Sequence, residues 1–446
     1  MKRLVGSLAI LAVAVGVLVL RAPAPSHSQG VDVFLNVTQG GSRKLGIAIP
    51  EFARTAGAPD DGNFGRALPE IIANDLRFSA LFTVVANTPP IPSSPEAMKK
   101  AFADFAASGA HAAMQGFLTT TPQRVTVEFR LYDLTNPEFR MIASKSFWVE
   151  PPREHRRLAH RISDEVVYQF TGERGIAETK IAYVIRSGQN KELFMIDYDG
   201  FNQMPLTNLQ SISLSPVWSP VDSSLAFTSF YKGYPYLFRL YPFNPRRREP
   251  EVLSAWPGIN TAPAWAPDGR TVAMVLSKTG NPEIFTLRVG TSDFRQLTNH
   301  RAIDTDPTWS PTGREIAFSS DRAGAPQIWV MDVEGASVRR LTFGNQFDTQ
   351  PRWSPRGDAI VFTRRTAGGF DLWAIAPDGS NARPLTKGEG SNEAASWAPN
   401  GRHIVFSSAR SGRAQLYTML VDGSEQQPLT RDRGDASSPT WSPRPQ

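Results

Sequence analysis

The chain has 446 residues, 41% of them hydrophobic and 20% charged, with a formal net charge of +6. That length exceeds one typical domain, and the balance is that of an ordinary globular chain rather than a disordered one. The small excess of charge gives no reason to expect nucleic acid as a partner. There is no cysteine, which excludes disulfides, thiol chemistry, a cysteine metal site and a lipid anchor on cysteine.

Residues 1–28 read as a cleavable export signal. Lys2 and Arg3 precede an uncharged apolar run from Leu8 to Leu20. As a helix that run spans about 20 Å, short of the roughly 30 Å hydrocarbon core of a bilayer. Ser26 and Ser28 supply the small residues of a cleavage site, and a cut after Ser28 leaves Gln29 first. The signal removes Lys2, Arg3 and Arg21 from the formal +6, leaving +3. The mature chain is expected to be soluble and not inserted in the membrane.

Residues 29–41 follow as an extended segment. Val31, Val33, Leu35 and Val37 alternate with mostly polar positions, and Gly40-Gly41 supplies a hinge. The segment reads either as the first strand of a sheet or as a docking end. Residues 42–171 mix periods of two and 3.6. Strands are expected at Leu45–Pro50, Phe82–Val85, Ala112–Leu118, Val125–Tyr132 and Met141–Val149. Helices are expected at Gly65–Ser79, Pro95–Ala107 and His155–Phe170. This order predicts a small α/β domain with a mixed sheet. Residues 172–179 read as a linker.

From residue 180 onward the sequence repeats. Trp218-Ser-Pro, Trp265-Ala-Pro-Asp-Gly, Trp309-Ser-Pro-Thr-Gly, Trp353-Ser-Pro-Arg-Gly, Trp397-Ala-Pro-Asn-Gly and Trp441-Ser-Pro recur at steps of 47, 44, 44, 44 and 44 residues. Each turn is followed by two alternating β-rich runs and a Leu-Thr pair, such as Leu297-Thr298 and Leu341-Thr342. Four short strands with their turns need roughly 40–45 residues, which is one propeller blade. The sixth Trp is followed by only five residues. Its missing strands lie at Ile181–Ile185, Leu193–Asp197 and Leu206-Thr207. The fold class expected is therefore α+β and multidomain: the small α/β domain, then a six-bladed β-propeller over 180–446, closed by pairing of its first and last strands. Closure leaves the ring without a free sheet edge.

The Trp-Ser-Pro-Asp-Gly pattern, the Leu-Thr ends, the signal and the preceding α/β module together resemble the TolB family, the periplasmic component of the Tol-Pal system of Gram-negative bacteria. The resemblance covers essentially the whole chain. It implies a periplasmic, monomeric protein that binds the Pal lipoprotein, and other outer-membrane lipoproteins, through its propeller. It also implies that the mature N-terminus binds the inner-membrane protein TolA, here through Val31, Asp32, Val33, Phe34 and Leu35. Roles in outer-membrane integrity and in constriction during division follow from the same resemblance.

Polar junctions precede each inner strand, and in a closed ring they share one face around the channel mouth. The resemblance carries Asn260, Thr261, Ala262, Asp304, Thr305, Asp348, Thr349, Asn392 and Glu393 over as candidate Pal contacts. The bland alternative is that Asp, Asn and Thr here make local turns and need no ligand. The Arg246–Arg248 run, flanked by Pro242 and Pro245, reads as a solvated loop.

Catalysis finds little support. No Gly-x-Ser-x-Gly elbow occurs, so a propeller peptidase is disfavoured. His155 and His160 lie five apart on a predicted helix, not at the i, i+4 spacing of a metal-binding pair. The expectation is a binding protein with no catalytic residues, no metal and no cofactor. A propeller that binds glycan or peptidoglycan is the alternative.

Overall fold

The computed structural model describes residues 44–55, 62–291, 293–344 and 346–445. The proposed signal and the segment containing Val31, Asp32, Val33, Phe34 and Leu35 lie outside the described residues.

The first unit is a layered α/β domain. Its strands are β1 (Leu45–Ala48), β2 (Ala53–Arg54), β3 (Phe82–Val84), β4 (Ala112–Thr120), β5 (Val125–Asp133) and β6 (Met141–Val149). They form one sheet in the order β3-β1-β4-β5-β6, with β2 beside the far end of β4. The pairs β1–β3, β1–β4 and β2–β4 are parallel, and β4–β5 and β5–β6 antiparallel, so the sheet is mixed.

Three helices cover this sheet: α1 (Phe64–Phe78), α2 (Pro95–Ala107) and α3 (His155–Thr171). Strand alternation sends Ile47, Met114 and Leu131 to one face. There they meet Leu68, Ile72 and Leu76 of α1 and Leu158, Ile162 and Val166 of α3, each repeating at helical spacing. Ala48, Ala113 and Tyr132 point to the other face and pack on Phe102 and Phe105 of α2. Ser94 caps α2 by accepting from the Ala97 amide at 3.3 Å, with Pro95 in its first turn. Pro69 lies inside α1 and has no N–H for the Gly65 carbonyl. The Phe52 amide donates to that carbonyl instead, at 2.8 Å.

Gly46 marks a close approach between β1 and the turn after α2. A Cβ built there would stand 1.9 Å from the Gly109 carbonyl oxygen. The backbones are held together by His111 N–H to Gly46 O at 2.7 Å. Gly46→Ala is therefore expected to lower unfolding stability by about 1–3 kcal/mol in a denaturant titration, because a rigid backbone must give way.

The second unit is a ring of six four-stranded sheets. Five are consecutive, with inner strands Ser213–Trp218, Asn260–Trp265, Asp304–Trp309, Asp348–Trp353 and Asn392–Trp397. The sixth takes its inner strand, Asp435–Trp441, from the far end of the chain. That strand pairs antiparallel with Lys180–Ser187, joining Trp441 to Ile181 and Asp435 to Arg186. Closure by the two ends of the repeat region is thus observed as the repeat arithmetic predicts.

Each recurring residue has a physical task. The Trp side chains lie between blades. The Nε1 of Trp218, Trp309 and Trp397 donates to the carbonyls of Thr440, Ala264 and Arg352 on the preceding inner strand, at 3.1, 3.1 and 2.9 Å. The turn glycines Gly269, Gly313, Gly357 and Gly401 have φ of 65, 68, 77 and 62°, where a side chain would be strained. In four of the Leu-Thr pairs the Thr is a buried relay, and in the fifth Thr342 only accepts, from the Ile328 amide at 3.1 Å. Thr298 Oγ1 accepts from the Ile284 amide at 2.9 Å and donates to Glu283 at 2.6 Å. Thr207, Thr386 and Thr430 repeat this with Glu192, Asp371 and Gln415. The relay satisfies polar groups the blade would otherwise bury alone.

The blade with inner strand Ser213–Trp218 is irregular, and its third and fourth strands (Tyr236–Leu240, Glu251–Ser254) are separated by the arginine-rich insertion. Arg246, Arg247 and Arg248 are exposed. Arg247 pairs with Glu251 and lies over Tyr241, 3.5 Å from the ring centre.

Candidate functional site

Every inner strand carries the same distortion near its start. The ladder to the second strand slips in all six blades, between the second and fifth residues in five and between Ser437 and Thr440, the third and sixth, in the strand Asp435–Trp441. The bulged residues are Ser215, Ala262, Asp306, Gln350, Ala394 and Ser438, with φ of 50, 48, 52, 55, 54 and 49°. Such a conformation is costly for a residue with a side chain, and bulges of this kind re-aim groups at a sheet rim. Proline follows in five of the six blades. The six bulges line a central channel of about 240 Å³ together with Thr308, Arg352 and Ser396. Arg352 lies in the channel wall, where burial lowers its pKa and Asp306 opposes that shift.

The predicted contact residues divide into two groups. Asn260, Asp304, Asp348 and Asn392 begin the inner strands and have no exposed surface. Asn260 accepts from Ser254 Oγ at 2.7 Å and donates to Trp256 O at 2.8 Å. Arg322 reaches Asp304 at 2.7 Å, and Arg364 holds Asp348 through two bonds of 2.7 and 2.8 Å. Asn392 accepts from Ser408 and Arg410 at 2.7 and 3.0 Å. These four side chains are engaged within the propeller and present no surface of their own. Thr261, Ala262, Thr305, Thr349 and Glu393 are half-buried at the mouth. Burial pushes the Glu393 carboxyl up.

The structure adds a surface that the sequence reading missed. The loops joining second to third strands, and fourth strands to the next blade, emerge on the face where the inner strands begin. They expose Ile212, Phe230, Tyr234, Trp256, Ile259, Ile303 and Phe343, with Tyr234 at 64% and Phe343 at 66%. Exposed cations stand among them: Lys232, Lys278, Arg301, Arg365, Lys387, Arg413 and Arg431. Lys278 lies 4.3 Å from the centre of the Trp256 ring, within cation–π range. Arg322 and Arg364 stack at 5.1 and 4.4 Å on Trp329 and Trp373 while holding their Asp partners. A rim of large apolar side chains interleaved with cations on rigid blades marks an interaction face.

The α/β domain occupies the opposite face. Phe78 of α1 stacks on His403 at 4.9 Å, and His403 Nε2 lies 2.8 Å from the Phe78 carbonyl. Lys44 pairs with Glu425, and Glu173 with Arg356 and Arg402. The apolar and basic face is thus left open by the first domain.

One cluster in that interdomain joint has metal-ligand chemistry: Asp75, His160 and Asp199, with candidate atoms within 4.8 Å of one another. Both Asp75 oxygens are already engaged, Oδ1 by the Tyr198 hydroxyl and Oδ2 by His160 Nδ1 at 2.9 Å and Ser163 Oγ at 2.7 Å. Arg156 holds Asp199. The geometry is that of a hydrogen-bonded joint. Among the described residues no helix is long and apolar enough to cross a membrane.

Comparisons with known proteins agree with this architecture. Residues 167–445 match the model of the TolB beta propeller domain, and residues 33–138 that of the TolB amino-terminal domain. The Tol-Pal system protein TolB of Gluconobacter oxydans (strain 621H) is 32% identical over 273 residues, 59% of this chain and 55% of that protein. The protein of the same name from Paramagnetospirillum magneticum (strain ATCC 700264 / AMB-1) is 35% identical over 264 residues, 57% of this chain and 55% of that one. The chain thus spans about half the length of the curated relatives it matches. The crystal structure of TolB from Acinetobacter baumannii superposes with a TM-score of 0.77 at 27% identity, over 90% of this chain and 98% of that one. The propeller match alone takes in more than half of the sequence, and the chain belongs to the TolB family of Tol-Pal system proteins.

Proposed function

We propose that this protein is a non-catalytic periplasmic adaptor that docks Pal on the open propeller face and engages TolA through residues 29–41. In this reading it serves outer-membrane integrity and constriction during division. The observation that carries it is the open face itself: seven exposed apolar side chains and a set of cations around a channel mouth, turned away from the α/β domain. Apolar anchors supply most of the affinity of such a surface, and cations select an acidic partner and speed its approach. Thr261, Ala262, Thr305, Thr349 and Glu393 are the mouth residues proposed to touch the partner. Asn260, Asp304, Asp348 and Asn392 act by holding the loops in place. Val31, Asp32, Val33, Phe34 and Leu35 form the proposed TolA segment.

Calorimetry of the mature chain against the soluble domain of Pal tests this. Tyr234→Ala and Phe343→Ala truncate the two most exposed anchors and are expected to weaken binding about 10- to 100-fold together. Raising the salt concentration should weaken it further. Undiminished binding by the double variant would remove the open face from the reading, and no binding by the parent would remove Pal.

A further inference from the structure

The joint between the two domains holds a buried imidazole set between two carboxylates. His160, on α3 of the first domain, is 3% exposed. Its Nδ1 lies 2.9 Å from Asp75 Oδ2, and Asp75 accepts from Tyr198 of the propeller. Its Nε2 is buried and makes no hydrogen bond among the described residues. That nitrogen faces Asp199 Oδ2, on the propeller, at 3.8 Å.

With Nδ1–H donated to Asp75, a neutral ring turns the Nε2 lone pair toward a carboxylate. Taking up one proton converts that lone pair into an N–H aimed at Asp199. Arg156, on the same helix, pairs with that same Asp199 oxygen. We propose that His160 is a proton-operated latch between the α/β domain and the propeller, bridging Asp75 and Asp199 when protonated and loosening the joint when neutral. The inference rests on the joint alone and stands whatever partner the open face takes.

The surrounding charges set the direction. Burial opposes the imidazolium, but the hydrogen bond and charge of Asp75, together with Asp199, outweigh burial and Arg156 and raise the pKa of His160. A raised value means that the latch contributes fully below about 6.5, the ordinary histidine value, and is lost as pH rises through the folded-state value. His155, on the same helix, is lowered chiefly by its own burial. Burial likewise raises the Asp199 carboxyl and holds the Tyr198 hydroxyl neutral.

Two more groups titrate nearby. Asp164, one turn further along α3, accepts from the Ala177 and Glu178 amides of the linker, and burial raises it to about 7. It acts in the same direction as His160, since the folded protein holds its proton more tightly than the unfolded chain does and stability falls as pH rises toward that value. His403, buried under Phe78, is lowered to about 4 by burial. It acts in the opposite direction, and only below about 6.5.

The test uses the mature chain, which has no cysteine of its own. Thr83→Cys and Gln427→Cys place one spin label on each wall of the cleft of about 590 Å³ that runs along the joint. The distance distribution is measured between pH 6.0 and 8.5, above the range where His403 acts. The parent is expected to be narrow at pH 6.0 and to gain a longer population toward pH 8.5. His160→Gln, a permanent neutral mimic, should show the longer population already at pH 6.0 and at least halve the pH response. Asp199→Asn, which removes the propeller-side anion, should halve it too and serves if His160→Gln does not fold. A parent distribution that does not change with pH would overturn the latch, as would folded variants that respond as fully as the parent.

Discussion

Trp441→Ala is expected to lower unfolding stability by about 3–5 kcal/mol, the range for emptying a buried aromatic site. Trp441 is 5% exposed, and its Nε1 donates to Thr179 Oγ1 at 2.8 Å, where the linker enters the propeller. Its backbone N–H also takes Ser396 Oγ of the neighbouring blade at 3.0 Å. This one residue therefore ties the last strand to the linker and to the neighbouring blade. Removing the whole strand by ending the chain at Gly434 should do more. It exposes the ladder edge of Lys180–Ser187, and the shortened protein should aggregate or fail to fold. Urea titration followed by tryptophan fluorescence checks the substitution, and light scattering checks the truncation. A shortened chain with the parent's midpoint would show that closure by the last strand does not stabilise the ring.

Arg364→Met should cost about 3–5 kcal/mol, because it strands the fully buried Asp348 carboxylate without its partner. Both guanidinium bonds to Asp348, at 2.7 and 2.8 Å, are lost together, and so is the stacking on Trp373. The double variant Arg364→Met with Asp348→Leu is expected to recover most of that loss, since no charge is then left buried. The same pair of variants separates the two readings of the inner-strand Asp and Asn residues. If Asp348 acts by holding its loop, its removal alone destabilises the fold and weakens partner binding only in proportion. A stable Asp348→Leu variant that binds a hundredfold more weakly would make Asp348 a direct contact after all.

The propeller was legible in the sequence because its physics repeats. Trp218 to Trp441 recur where a wedge between blades must be filled, and Gly269 to Gly401 where a turn needs positive φ. The helices and strands of the first domain follow from ordinary periodicity, and helix α1 begins at Phe64, one residue before the expected start. The short β2 strand, Ala53–Arg54, has too few residues to give a pattern.

The open face was not legible, for a different reason. Tyr234, Trp256, Ile303 and Phe343 come from different loops and meet only once the ring has closed. Nor does a polar residue at a strand start show its direction. Asp304 and Asp348 look like exposed loop carboxylates until Arg322 and Arg364 are seen folded over them. The interdomain joint was hidden by sequence distance, since Asp75 meets His160 and Tyr198 across 85 and 123 residues. Reading His155 and His160 against one another on a single helix could not find a partner supplied by α1 and the propeller.

The partner is proposed to dock on the propeller face turned away from the α/β domain. Hydrogen exchange of the mature chain, with and without the soluble domain of Pal, tests it most directly. Slowed exchange is expected in the loops around Tyr234, Trp256, Lys278 and Phe343 and at the channel mouth. Protection confined to the α/β domain, or to the turns on its side of the ring, would contradict it.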